Sequence, residues 1–251
     1  ITANFGQDST FAGAVSAGGN SDANGIGNFK YSVPSGGYLA LCSSNLPDTT
    51  LSPNKSEQAD DYFDIDTYAG SASNQTRTLN FKPDWLWFKE RTTTGIPHQI
   101  FDSSRPHSTT GTLYQSRMEI DTVVAETDSV AIQSVSGNDV TLLGGVSTTN
   151  DQYSRTYVMW HWKANGGTTS TIAADSVSSG VPSIASTVQA STEAGFSIVL
   201  YASGSSGDKT VGHGLSSKPE MIITKSRDAS SSYNWSIFHE DVASTVNKYL
   251  I

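Results

Sequence analysis

The sequence predicts an all-β chain with little helix, organised either as one large β-sandwich or as two smaller domains. Three observations predict it. Ser, Thr, Gly and Asn are abundant, while charged residues make up only 16% of the 251 positions. The apolar residues come in short runs rather than at helical spacing, and those runs are bounded by Gly or Pro. One such run also recurs later in the chain with its flanking residues.

Taken in order, Tyr38-Leu39-Ala40-Leu41 and Trp85-Leu86-Trp87-Phe88 are the first two strand candidates. Ala131-Ile132-Gln133-Ser134-Val135 and Asp139-Val140-Thr141-Leu142-Leu143 flank Ser136-Gly137-Asn138, whose Gly and Asn tolerate the positive φ of a tight hairpin. In residues 156–163 Val158, Trp160 and Trp162 share one face and Tyr157, Met159 and His161 the other. Bulk on both faces predicts a central strand. Residues 196–201 and 221–224 are the last strand candidates, and one short helix is expected near Glu240-Asp241-Val242-Ala243.

Composition narrows the function classes. Fifteen basic residues stand against 24 acidic ones, a net charge of -9, with no Lys/Arg stripe. Phosphate neutralisation therefore cannot supply affinity, and neither nucleic acid nor an anionic membrane is an expected partner. Cys42 is the single cysteine, so stability must come from burial rather than an intrachain disulfide. No apolar run approaches the ~20 residues that span a bilayer, and no charged-then-apolar signal segment opens the chain. The first residue, Ile1, and the apolar ending Tyr249-Leu250-Ile251 are what a piece of a longer polypeptide would show.

Two composition shifts divide the chain. Residues 48–61 hold turn formers and charges and are read as a linker; residues 166–193, richer in Ser and Ala, are read as a second linker or an edge strand. Between and beyond them lies a duplication. Lys82-Pro83-Asp84 followed by Trp85-Leu86-Trp87-Phe88 and Lys89-Glu90-Arg91 matches Lys218-Pro219-Glu220, Met221-Ile222-Ile223-Thr224 and Lys225-Ser226-Arg227. Upstream stand Tyr68-Ala69 and Tyr201-Ala202; downstream stand Ile100-Phe101 and Ile237-Phe238. The Pro opens a strand without needing a ladder donor, and the apolar residues after it bury against a facing sheet. The repeated Lys-x-Arg is either a solvated strand terminus pairing with carboxylates or a basic rim facing a ligand.

These segments, with Ile100-Phe101-Asp102-Ser103-Ser104-Arg105 and Tyr157-Val158-Met159-Trp160-His161-Trp162-Lys163-Ala164, resemble an uncharacterised β domain of tail and tail-fibre-like proteins of tailed phages. The resemblance covers residues 62–165, and residues 194–251 are read as the start of a second copy of the unit, cut off after Ile251. Asn4-Phe5-Gly6-Gln7, Phe29-Lys30-Tyr31, Pro34-Ser35-Gly36-Gly37-Tyr38-Leu39-Ala40-Leu41 and Asn45-Leu46-Pro47 are similar to the closing strands of SPRY-like domains, which places such strands at 1–47. What this resemblance implies is a concanavalin-like or jelly-roll sandwich in tandem units. It further implies a non-enzymatic virion protein of the phage tail, assembled in the bacterial cytoplasm, that binds a host-surface glycan or protein or neighbouring tail proteins through its loops. A homotrimer also follows from the resemblance, although no heptad or trimerising pattern is present.

The competing chemistry is a glycoside hydrolase or a carbohydrate-binding module acting on host surface polysaccharide. Glu119-Ile120-Asp121 supplies two carboxylates of a Glu-x-Asp-x-x-Glu strand motif, but Val124 stands where the general acid belongs. Glu57, Asp60, Asp61, Asp64 and Asp66 offer oxygen ligands without the spacing of a calcium loop. His98, His107, His161, His213 and His239 lack zinc spacing, and no Gly-x-Ser-x-Gly elbow occurs. No metal and no cofactor is expected. Trp85, Trp87, Trp160 and Trp162 are assigned to the core, with Trp235 the exposed one. The candidate contact residues are His98, Arg105, His107, Tyr233, Asn234 and Trp235.

Overall fold

The computed structural model describes residues 16–40, 43–45, 57–151, 154–174, 182–204, 206–228 and 233–241. The chain divides into two compact units, Ile1–Gln58 and Ala59–Ile251.

In the first unit an isolated bridge joins Asn20 and Phe29, and a short 3-10 turn spans Ser43–Asn45. Asp22 organises these loops. Its Oδ1 accepts from the backbone N–H of Asn24 (2.9 Å) and Ile26 (2.8 Å), and its Oδ2 from Ala40 N–H (2.9 Å) and Asn45 Nδ2 (2.7 Å). Burial pushes this carboxyl up, but the four hydrogen bonds outweigh it and hold the pKa at about 2. The strand expected at 38–41 does not form over Tyr38, Leu39 and Ala40, where Tyr38 and Leu39 are exposed. The side-chain bonds of Asp22 take the place of a ladder there. Leu41, and the segments 4–7 and 46–56, lie outside the described residues.

The second unit is built of strands. They are β1 (Phe63–Ala69), β2 (Gln75–Thr78), β3 (Trp85–Glu90), β4 (Gln99–Asp102), β5 (Ser116–Glu119), β6 (Thr127–Asp128), β7 (Ile132–Ser136), β8 (Asp139–Leu142), β9 (Thr156–Trp162), β10 (Ser170–Ile172), β11 (Ser186–Ser191), β12 (Phe196–Tyr201), β13 (Met221–Thr224) and β14 (Ser236–His239). All their ladders are antiparallel. A six-stranded sheet runs β1-β9-β3-β4-β5-β6, a second runs β2-β8-β7, a third β10-β11-β12, and β13 pairs with β14. The protein is an all-β sandwich.

The core follows from alternation. Tyr68, Leu86, Phe88, Phe101, Tyr157 and Met159 point from the six-stranded sheet onto Leu79, Ile132, Val140 and Leu142 of the β2-β8-β7 layer. β9 is central as expected, paired with β1 on one edge and β3 on the other. The β7-β8 hairpin turns through Gly137, whose φ of 56° suits glycine. Gly70 has a steric role: a Cβ there would lie 2.0 Å from the Asp151 carbonyl oxygen.

Three expectations change. Trp85, Trp87, Trp160 and Trp162 are half-buried on the outer face of the sheet instead of in its core, because the β2-β8-β7 layer covers the opposite face. The stretch 166–193 holds β10 and β11, and β11 is the middle strand of a sheet that includes β12. A boundary at 193/194 would cut that ladder. Residues 59–61 of the first linker form a 3-10 turn leading into β1. Glu240 and Asp241 form a turn, whereas Val242 and Ala243 of the expected helix lie outside the described residues.

Candidate functional site

The duplicated segments fold as the same hairpin. In β3-β4 Leu86 faces Phe101 and Trp87 faces Ile100; in β13-β14 Ile222 faces Phe238 and Ile223 faces Ile237. The bond that closes each hairpin also recurs, from Ser103 N–H to Asp84 O (2.9 Å) and from Glu240 N–H to Glu220 O (2.8 Å). The repeated lysines do equivalent work: Lys89 Nζ donates to Ile96 O and Lys225 Nζ to Tyr233 O, each tying its strand to its own loop. Of the two readings of Lys-x-Arg, these bonds support the structural one. Burial holds the Lys225 pKa below its usual value.

The two hairpins meet at their loops. Trp235 joins Ile100 and Met118 in a small cluster against which Trp85, Trp87 and Ile120 pack, and its Nε1 donates to Glu119 O at 2.8 Å. Trp87 Nε1 donates to His98 Nδ1 at 2.9 Å, and His98 N–H donates to Asp121 Oδ1 at 3.0 Å. Burial, helped by the Lys89 charge, lowers the His98 pKa against the opposing pull of Asp121. Glu126 lies between Arg105 and Arg227: its Oε1 stands 3.5 Å from Arg105 Nη1, and its Oε2 accepts from Arg227 Nε.

Two candidate contact residues are corrected. Trp235 is 6% exposed and Arg105 is 1% exposed, so neither presents itself to a partner. The polar neighbours of Trp235 in sequence hide that its ring fits the apolar gap beside Met118. Arg105 is drawn inward by Asp102, whose Oδ2 is 2.5 Å from its Nε, with Glu126 beyond. His98 and His107 are partly buried; His107 Nδ1 stands 3.6 Å from Asp128 Oδ2 and accepts from Thr109 and Thr110 N–H. Tyr233 and Asn234 are exposed in the second hairpin loop, shortly before β14. The structure therefore brings His98 and Trp235 to one cluster and places His107 elsewhere.

The carboxylates weighed for catalysis and metal binding have partners. Glu119 accepts from Gln99 Nε2 (3.1 Å) and Thr122 Oγ1 (3.1 Å), while Asp66 holds Arg77 at 2.7 and 2.9 Å. Among the described residues no group of three His, Cys, Asp or Glu is placed to hold a metal ion.

Sequence reasoning missed the buried polar knot at the end of β3. Asp84 is fully buried; its Oδ1 accepts from Ser103 Oγ (2.7 Å) and its Oδ2 from the N–H of Ala164 (2.7 Å) and Gly166 (2.8 Å). Gln189, also fully buried, donates to Ser103 and Ser104 Oγ, each at 2.8 Å, and ties β11 to this point. The one signal was the acidic residue repeated after Lys-Pro.

The described residues form an all-β sandwich that carries two copies of one hairpin. The chain belongs to the family described as a domain of unknown function, DUF7483, whose model matches residues 58–251. No curated protein and no solved structure matches the chain.

Proposed function

We propose that the chain is a non-enzymatic structural or adhesion component of a tailed-phage virion, a piece of the tail or tail fibre with a concanavalin-like or jelly-roll architecture. It works by contact, engaging a host-surface molecule or a neighbouring tail protein. The observation that carries this reading is the duplicated hairpin, in which one register and one lysine-to-loop bond serve two copies. Repetition of a scaffold whose loops differ suits display and assembly, since binding residues concentrate on loops held by a rigid framework. Tyr233 and Asn234, exposed in the loop that Lys225 ties down, are the contact positions with the best access.

Adsorption competition tests the proposal. Purified protein at saturating dose is expected to slow phage adsorption to the host or, where the contact is with another tail protein, to co-assemble with tail structures. Neither effect, together with steady release of reducing ends from host polysaccharide that Glu119→Gln abolishes, would replace it with the hydrolase reading.

A further inference from the structure

We propose that Ser103 and Gln189 join in an intramolecular ester that the buried knot forms by itself, so that a covalent bond ties the end of β4 to β11. The proposal stands on the geometry of the knot and holds whether or not the module belongs to a virion.

The three groups that such a bond needs meet out of water. Asp84 and Gln189 are 0% exposed and Ser103 is 2% exposed. Ser103 Oγ donates to Asp84 Oδ1 at 2.7 Å, which pairs a hydroxyl nucleophile with a proton acceptor. The other oxygen of Asp84 accepts from Ala164 N–H and Gly166 N–H, and these bonds fix the carboxylate. The same Ser103 Oγ stands 2.8 Å from Gln189 Nε2 and 3.2 Å from Gln189 Oε1. Cδ, the carbon bonded to both of those atoms, therefore lies within about 3.5 Å of the hydroxyl, the separation of reacting atoms in a near-attack arrangement. Gly167 N–H donates to Gln189 Oε1 at 2.7 Å, so charge that develops on this oxygen meets a fixed backbone dipole. Ser104 Oγ accepts from Nε2 at 2.8 Å and orients the group that leaves.

The step balances without a co-reactant. Ser103 Oγ attacks Gln189 Cδ while its proton passes to Asp84, the Oγ–Cδ bond forms, and the tetrahedral oxyanion faces Gly167 N–H. Asp84 then gives the proton to Nε2, the Cδ–Nε2 bond breaks, and ammonia leaves. Nothing is oxidised or reduced. Near neutral pH the ammonia is protonated and diluted in bulk water, which draws the step forward, while burial keeps water from the ester. The bond joins the six-stranded sheet to the β10-β11-β12 sheet in a chain whose single cysteine allows no intrachain disulfide. The second repeat lacks the nucleophile. Where Ser103 closes the first hairpin Glu240 closes the second, and its carboxylate pairs with Lys218 Nζ at 2.6 Å.

The test is the mass of the full chain, measured after denaturation, once the folded protein has stood for a prolonged period at neutral pH. The chain is expected to be lighter than its sequence mass by one ammonia. A tryptic digest should yield fragments 92–117 and 164–209 as one linked species that hydroxylamine separates. Ser103→Ala should keep the full mass, and Asp84→Asn should slow the loss of ammonia at least about tenfold, with slow amide exchange at Leu86 and Phe88 reporting that the fold persists. Where a variant fails to fold, the wild-type digest decides alone. Full sequence mass with the two fragments separate would overturn the proposal, leaving the knot a set of hydrogen bonds. So would a linked species that persists in Ser103→Ala, or an ammonia loss that maps to Asn24-Gly25 or Asn165-Gly166 as a succinimide.

Discussion

The β3-β4 hairpin and the β13-β14 hairpin share a register, a closing hydrogen bond and a lysine latch, yet one is the centre of a sandwich and the other lies open. What separates them is their surroundings. Around β3 the strand β9 and the β2-β8-β7 layer remove Leu86, Phe88 and Phe101 from water; around β13 no described strand does so. The difference teaches that a local pattern can specify a strand and its register while leaving burial to whatever packs on it. The supporting residues differ accordingly. Asp84 is fully buried and thrice bonded, whereas Glu220 at the same place is exposed. Gly70, which the close approach of Asp151 requires, is matched by Ser203 after the second Tyr-Ala pair.

This comparison breaks or sharpens under paired substitutions. The largest effect is expected at Asp84→Ala, which strands two buried donors, Ser103 Oγ and Ala164 N–H, and a partly buried one, Gly166 N–H, and should cost about 4 kcal/mol, against under about 0.5 kcal/mol for Glu220→Ala at the surface. Urea unfolding followed by tryptophan fluorescence measures both, and equal losses would contradict the contrast. Leu86→Ala should come next at about 3 kcal/mol, because a cavity opens in a closed core, while Ile222→Ala should cost under about 1 kcal/mol. Lys89→Met, which removes the bond to Ile96 O, and Lys225→Met, which removes the bond to Tyr233 O and a longer one to Val123 O, should each cost about 1 kcal/mol, and their similarity would show that the latch is the shared part.

Acid should act on the closed repeat. His161 is fully buried against Phe81, their ring centroids 5.0 Å apart, and burial lowers its pKa below 6.5 despite Asp64 and Asp66 pulling the other way. With the folded pKa depressed, the unfolded chain takes up the proton first. The stability conferred by the neutral imidazole is whole above pH 6.5 and declines as pH falls from there through the folded pKa. His98, lowered in the same direction, adds to the decline. His161→Gln should flatten the pH dependence of unfolding between pH 7 and 5 in ratio to wild type, which a urea midpoint series would detect.

Much of this was legible in the sequence where a strong pattern had one meaning. Bulk on both faces of 156–163 marked a central strand, Gly137 marked the hairpin turn, and the Lys-Pro-acid pair marked the duplication. Where a pattern had two meanings, the choice depended on distant residues. Alternation placed the four tryptophans of β3 and β9 on one face but carried no information on which face the β2-β8-β7 layer would cover. β11 was hidden because its inward residues include Ser186, Gln189 and Ser191, buried by hydrogen bonding more than by hydrophobicity. Trp235 read as a surface residue because its partner Met118 is remote in sequence, and Arg105 because nothing in the local pattern marked Asp102 as a buried partner.

Amide exchange on the free protein tests the central claim most directly, by comparing Trp87 with Ile223 in the two equivalent strands. The account predicts that the Trp87 amide, bonded toward β9, exchanges only through large-scale unfolding, while the Ile223 amide exchanges orders of magnitude faster and Ile222 beside it lies between the two. Equal, strong protection of Trp87 and Ile223 in the monomer would contradict it, because the second hairpin would then be closed like the first.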